Sequence, residues 1–195
     1  MNIKKYNKKN ILSEISEKIK KFTDQQLLRK INRIEYNLMG FANFMEAKFV
    51  LLYTKQSDEI PTENIIKKCF KLKKNVIIPI ISESKHLINL FKINDYDTDL
   101  VKNNYNILQP NTETCKEIEL DQIDIAVIPG LGFDEKGGRL GFGEGFYSRL
   151  ITRLPETTRK ISIAFEEQMV RQIQMESRKY NVDIVITDKR IIYKI

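Results

Sequence analysis

The feature that most constrains this chain is a series of short, β-branched apolar runs separated by polar and helix-periodic stretches. Phe49-Val-Leu-Leu-Tyr53, Val76-Ile-Ile-Pro79, Ile123-Asp-Ile-Ala-Val-Ile-Pro129, Ile161-Ser-Ile-Ala164 and Val182-Asp-Ile-Val-Ile-Thr187 are all of strand length, and two of them end at proline. Runs this apolar suit strands buried on both faces, and such strands belong to parallel sheets whose crossovers lay helices on either side. The intervening periodicity agrees. Ile11, Ile15, Ile19 and Phe22 share one face of a first helix, and Leu27, Leu28, Ile31, Ile34 and Leu38 one face of a second. Thr23 with Gln26 makes a capping-box pattern between them, and Thr62 is placed to cap a helix over residues 63–72. The expected fold is α/β and three-layered, a mostly parallel sheet with helices on both faces, in a single domain spanning residues 1–195. Residues 85–93 alternate as an antiparallel or peripheral strand would. Residues 94–121, rich in Asn, Asp and Thr, read as a long surface excursion.

Composition removes several chemistries. His86 is the only histidine and falls in the alternating stretch, facing solvent; no GxSxG elbow and no His/Cys metal cluster accompanies it, so His-driven covalent catalysis is not expected. Cys69 and Cys115 form no CxxC pair, which with the absence of a secretory leader points to a reducing, cytoplasmic setting. No apolar run approaches the roughly 20 residues that cross a bilayer, so no membrane association is expected. The formal charge of +7 is concentrated early: residues 1–75 carry 17 Lys/Arg against 8 Asp/Glu. That patch could attract a polyanion, but no recognition motif accompanies it, and a nucleic-acid partner is not expected.

Seven of the eight glycines lie between Gly130 and Gly145, directly after an expected strand and before an expected helix from about residue 143 to 154. Ligands of open α/β sheets sit beyond the carboxyl ends of the strands. Glycines there let backbone N–H groups approach a phosphate, and a helix N-terminus adds partial positive charge. Arg139 and Arg149 can add charge-assisted contacts. The spacing is neither a Walker A nor a dinucleotide fingerprint.

Pro129-Gly-Leu-Gly-Phe-Asp134 followed by Gly138-Arg-Leu-Gly-Phe-Gly-Glu-Gly-Phe-Tyr147 resembles the signature of the 5-formyltetrahydrofolate cyclo-ligase family. Lys8, Asp58-Glu-Ile-Pro-Thr62, Asn106-Ile-Leu-Gln-Pro110 and Ala164-Phe-Glu-Glu-Gln168 follow the family's order of elements. The resemblance implies an ATP- and Mg²⁺-dependent enzyme that cyclises 5-formyltetrahydrofolate, with or without further glutamates, to 5,10-methenyltetrahydrofolate as a monomer. Phosphorylation of the formyl oxygen would make it a leaving group, and the neighbouring folate nitrogen would close the ring. Such chemistry needs positioning and charge stabilisation rather than a histidine. By the same resemblance Lys8, Arg139, Leu140, Gly141, Phe142, Gly143, Glu144, Gly145, Phe146 and Tyr147 would hold ATP. Thr54, Glu59 and Tyr105 would contact the folate, and Asp183 would help place Mg²⁺. Four positions depart from the family pattern: Leu12 where an arginine is usual, Glu144 for a lysine or glycine, Ser148 for an aspartate, and Arg178-Lys179 for a His-Asp pair. Two readings follow, an active cyclo-ligase and a catalytically impaired folate- or nucleotide-binding homologue.

Overall fold

A computed structural model of the chain describes residues 8–56, 58–81, 88–141, 145–175 and 177–194. It opens on two helices, α1 (Lys8–Ile19) and α2 (Asp24–Met39). The capping box between them forms: Thr23 Oγ1 accepts the Gln26 N–H at 3.3 Å and Gln26 Oε1 accepts the Thr23 N–H at 2.8 Å, a device that stabilises a helix start by about 1 kcal/mol. A short α3 (Ala42–Glu46) leads into β1 (Phe49–Leu51), and α4 (Glu63–Lys71) crosses to β2 (Asn75–Ile81) and β3 (Ile88–Ile93). β4 (Leu100–Lys102) and β5 (Leu108–Pro110) pair as a separate hairpin before β6 (Lys116–Ile118). β7 (Ile125–Val127) feeds a second small hairpin, β8 (Gly132–Phe133) with β9 (Arg139–Leu140). Then α5 (Phe146–Arg153) returns to β10 (Arg159–Ala164), and β11 (Ile184–Thr187) and β12 (Ile191–Tyr193) follow.

The main sheet has the order β12-β11-β10-β7-β1-β2-β3-β6. Its five central strands are parallel; β12 and β3 run antiparallel to their inner neighbours, and β6 runs antiparallel to β3. Strand alternation divides the core. Val50, Ile125, Val127, Ile161, Ile163, Ile184 and Ile186 face the side covered by Ile34 and Leu38 of α2, Phe44 of α3 and Ile65 and Ile66 of α4. Leu51, Ala126, Ile128 and Val185 face the side covered by Phe146, Leu150 and Ile151 of α5. Both faces are thus apolar, which is why these strands read as continuous hydrophobic runs.

The structure corrects several local expectations. Residues 94–121 are not a bare excursion but carry β4, β5 and β6, three-residue strands too short and polar to show a pattern. The Thr62 hydroxyl donates to the Tyr53 carbonyl instead of capping α4. α1 ends at Ile19, so Phe22 falls in the turn, where the Lys30 ammonium sits 4.8 Å from its ring centroid. Leu28, expected on the buried face of α2, is 56% exposed. His86 lies outside the described residues. Among the described residues no helix is long and apolar enough to cross a membrane.

Asp134 holds the β8–β9 hairpin in place. Its buried carboxylate accepts N–H groups from Lys136 (2.9 Å) and Gly138 (2.8 Å) within the turn, and from Ile173 (2.6 Å) in the chain that packs beneath it. Asp134→Ala leaves three donors without their acceptor. The variant is expected to lose about 3 kcal/mol of unfolding free energy in urea titration; a loss below about 1 kcal/mol would show that water replaces the carboxylate.

Candidate active site

The site is built at the carboxyl ends of the parallel strands. After β1 the chain turns back on itself: the buried Tyr53 hydroxyl donates to the Ile60 carbonyl at 3.0 Å, and the Thr62 hydroxyl returns to the Tyr53 carbonyl. Within this clamp the Gln56 N–H donates to Glu59 Oε2 at 2.9 Å, and the Glu59 side chain is carried inward until the residue is only 5% exposed.

The glycine-rich hairpin approaches from β7. Arg139 is buried; its guanidinium donates to the Pro129 carbonyl at 2.9 Å and to Ser148 Oγ at 3.3 Å, while Nε has no hydrogen-bond partner among the described residues. Gly141 is required by this packing, since a Cβ there would lie 2.5 Å from an Arg139 terminal nitrogen. Gly145 starts α5 with φ +69°, a left-handed conformation glycine adopts freely, and supplies no side-chain cap. Among the described residues no side chain caps the first turn of α5, and the Arg139 and Arg149 guanidinium groups lie beside it, an arrangement that suits an anion. Gly130, Gly132, Gly137 and Gly138 have a different cause: their Cβ positions are taken by Phe133, Ile15, the Val182 carbonyl and the Asp134 carboxylate, so they serve hairpin packing.

Loop and hairpin meet electrostatically. Burial pushes the Glu59 carboxyl up to about 7, against the Gln56 N–H, Arg139 and Lys55, which all favour the ionised form. Burial pulls the Arg139 guanidinium down, and Tyr147 and Glu59 oppose it. Tyr147 is held neutral by burial and then by the Glu59 charge, and Tyr53 likewise. One titratable carboxyl thus faces a fixed cation and two phenols. Near neutral pH it is divided between a form that donates a hydrogen bond and one that accepts it.

Glu59 also floors a cavity of about 320 Å³. α1 supplies Leu12, Ile15 and Ile19 to its wall, α2 supplies Leu27 and Ile31, and Pro61, Leu131 and Phe165 complete the apolar lining; Ser16, Lys20, Lys55, Asp58 and Gln168 are its other polar residues. Gln168 is fixed by donating to the Leu131 carbonyl at 3.1 Å and accepting the Phe165 N–H at 2.8 Å. A concave, mainly apolar volume with a few convergent polar groups is the form of a small-molecule site.

The structure thus brings Glu59 together with Arg139 and Tyr147, and Leu140, Gly141, Gly145 and Phe146 lie in the same hairpin and helix start. Phe142, Gly143 and Glu144 lie outside the described residues. Lys8 is the exposed first residue of α1. Thr54 does not line the cavity; its hydroxyl donates to the Leu108 carbonyl at 2.6 Å and ties the loop after β1 to β5. Tyr105 neither lines it nor packs in the core; it sits 68% exposed in the β4–β5 turn. The Asp183 carboxylate accepts the Lys160 N–H at 2.9 Å at the amino ends of β10 and β11, the end of the sheet opposite Glu59. Among the described residues no cluster of three or more His, Cys, Asp or Glu side chains could hold a metal ion. Phe165 was missed as a site residue in sequence because an apolar residue lining a cavity has the same pattern as one in the core.

Fold and site together define a three-layer α/β enzyme class in which an arginine-bearing glycine hairpin at the carboxyl edge of the sheet is charge-coupled to a buried carboxyl that lines a cavity of small-molecule size. The family model of the 5-formyltetrahydrofolate cyclo-ligases matches residues 4–188, and the chain belongs to that family. It is 26% identical to the mouse 5-formyltetrahydrofolate cyclo-ligase over 187 residues, covering 92% of each chain. It is 31% identical to the Haemophilus influenzae 5-formyltetrahydrofolate cyclo-ligase over 133 residues, covering 67% of this chain and 71% of that one. The fold matches the solved structure of Aquifex aeolicus 5,10-methenyltetrahydrofolate synthetase with a TM-score of 0.81 at 23% identity, over 95% of this chain and 92% of that chain.

The raised Glu59 carboxyl has a consequence for stability. Between its unfolded value near 4.5 and about 7 the folded state holds a proton that the unfolded state has released, so stability falls as pH rises through that window. Glu59→Gln removes the ionisable group and keeps an acceptor for Gln56. Its gain over the parent protein in denaturant unfolding is expected to be larger at pH 8 than at pH 5, by on the order of 2 kcal/mol. Equal gains at the two pH values would show that Glu59 titrates normally.

Proposed function

We propose that this chain is an ATP-dependent 5-formyltetrahydrofolate cyclo-ligase acting as a monomeric cytoplasmic enzyme. The observation that carries this reading is the meeting of Glu59, from the loop after β1, with Arg139 and Tyr147 of the glycine signature in a chain that matches the family from residue 4 to 188. In the reaction the formyl oxygen takes the terminal phosphoryl group of ATP and leaves as inorganic phosphate. The neighbouring folate nitrogen adds to the formyl carbon and gives up its proton, so 5,10-methenyltetrahydrofolate, ADP and phosphate balance the substrates.

The chain's residues divide this work. The α5 N-terminus and Arg139 stabilise phosphoryl charge, and a buried guanidinium does so without screening by water. Glu59, near the midpoint of its titration at neutral pH, can give or take a hydrogen bond from the folate heterocycle. The apolar walls of α1 and α2 exclude water from the ring that closes. Mg²⁺ enters this reading only as the cation that accompanies the triphosphate, and no step is assigned to it.

The impaired-homologue reading is favoured by one observation: Ser148, where the family has an aspartate, bonds to Arg139 instead of offering a carboxylate. Turnover separates the two. Purified protein with 5-formyltetrahydrofolate, ATP and Mg²⁺ is expected to form methenyltetrahydrofolate, followed by near-ultraviolet absorbance, and to form none when ATP or Mg²⁺ is omitted. No product from a folded protein that binds folate would establish the binding homologue. Arg139→Lys, which keeps the charge but loses the planar fork, is expected to lower kcat/KM about 10- to 100-fold with thermal stability near that of the parent. A parallel collapse in stability would make Arg139 a structural residue.

A further inference from the structure

Two parts of the cavity wall come from separate elements, and a lysine outside the lining spans them. Leu27 and Ile31, one turn apart on α2, form one part; Phe165 and Gln168, at the two ends of the turn that follows β10, belong to the other. Lys30 lies between Leu27 and Ile31 in the α2 sequence but is not a lining residue. Its ammonium group donates to Glu167 Oε2 at 2.9 Å and to Asp188 Oδ2 at 2.8 Å, and it sits over the Phe22 ring in the α1–α2 turn. Asp188 carries the connection further, because its other oxygen, Oδ1, accepts the Glu166 N–H at 2.8 Å. Lys30 therefore holds the 165–168 turn twice, through the Glu167 side chain and, by way of Asp188, through the Glu166 backbone.

The three charged side chains are largely withdrawn from water, with Lys30 16%, Glu167 20% and Asp188 7% exposed. Two carboxylates bound to one ammonium group lie close together, and the cation between them offsets their repulsion. Without it, like charge and the gain in hydration both drive Glu167 and Asp188 apart, and the turn that carries Phe165 and Gln168 moves with them. A second ion pair of α2, Glu35 with Lys68 at 2.7 Å, ties the helix to α4, from which no lining residue comes.

We propose that Lys30 is a positioning residue for folate binding: without touching the ligand, it fixes the Leu27–Ile31 wall relative to the Phe165–Gln168 wall and so sets the fit of the cavity. This rests on the cyclo-ligase reading. The phosphate end has its own supports, since Arg139 is held by the Pro129 carbonyl and the Ser148 hydroxyl.

Calorimetric titration with 5-formyltetrahydrofolate and, separately, with a non-hydrolysable ATP analogue tests this. Lys30→Met keeps the aliphatic stem and removes the charge. It is expected to weaken folate binding about tenfold and to leave nucleotide affinity within about twofold of the parent. Lys30→Arg, which can bridge the same two carboxylates, is expected to bring folate affinity back to within about twofold. Lys68→Met breaks the α2–α4 pair and is expected to change neither affinity. Glu167→Gln removes one of the two acceptors and leaves Asp188 in place; its expected loss of folate affinity is about threefold, and it carries the test if Lys30→Met does not fold. Unchanged folate affinity in the folded variant would overturn the positioning role and leave the cyclo-ligase reading standing. An equal loss in Lys68→Met, or a parallel loss of nucleotide affinity, would overturn it in favour of a general loosening of α2. A parent protein that binds no folate would overturn both readings together.

Discussion

The burial of a single guanidinium group governs the site. Arg139 stays charged under all ordinary conditions, so removing it from water requires acceptors and opposite charge close by. The Pro129 carbonyl, Ser148 hydroxyl and Glu59 carboxyl supply them from three different segments. The close approach at Gly141 and the left-handed start of α5 at Gly145 belong to the same packing. A cation in this position is poorly solvated by its surroundings and is correspondingly strong toward an incoming anion.

The cavity depends on how the first two helices are held. α1 packs on the hairpin through Ile11, Ile15, Leu140 and Ile173, so the wall of the cavity and the arginine-bearing hairpin form one unit. α2 is tied to the carboxyl ends of β10 and β11: Lys30 pairs with Glu167 and Asp188, and Asn37 donates to the Thr187 carbonyl at 2.8 Å. These ties flank Leu27 and Ile31 on one side and Phe165 and Gln168 on the other, which sets the spacing between opposite walls. The ionic contacts are partly buried and networked, the circumstance in which such pairs give positional specificity.

Much of the architecture was legible before any coordinates. The parallel strands announced themselves because burial on both faces requires an apolar residue at nearly every position, as in Val76-Ile-Ile and Ile184-Val-Ile. The Thr23–Gln26 cap is a local hydrogen-bond exchange and was equally visible. β4, β5, β6, β8 and β9 were not, since each is two or three residues long and takes its stability from its partner. Arg139 and Glu59 were legible as residues. For Asp183 the local sequence is ambiguous, because a strand-starting aspartate and a ligand aspartate look alike in it, and only the structure shows the Lys160 N–H bonded to its carboxylate.

The sequence by itself determined the three-layer class, the order of its strands and helices along the chain, and a glycine-rich turn carrying an arginine, because these follow from periodicity, turn chemistry and composition within short windows. Only the tertiary structure decided that Glu59 and Arg139, 80 positions apart, share one desolvated environment. It also decided that α1 is a cavity wall as well as a core helix, and which glycines serve hairpin packing. These are outcomes of long-range burial: a residue's dielectric surroundings and the space beside it are set by segments distant in the chain, and no local pattern records them.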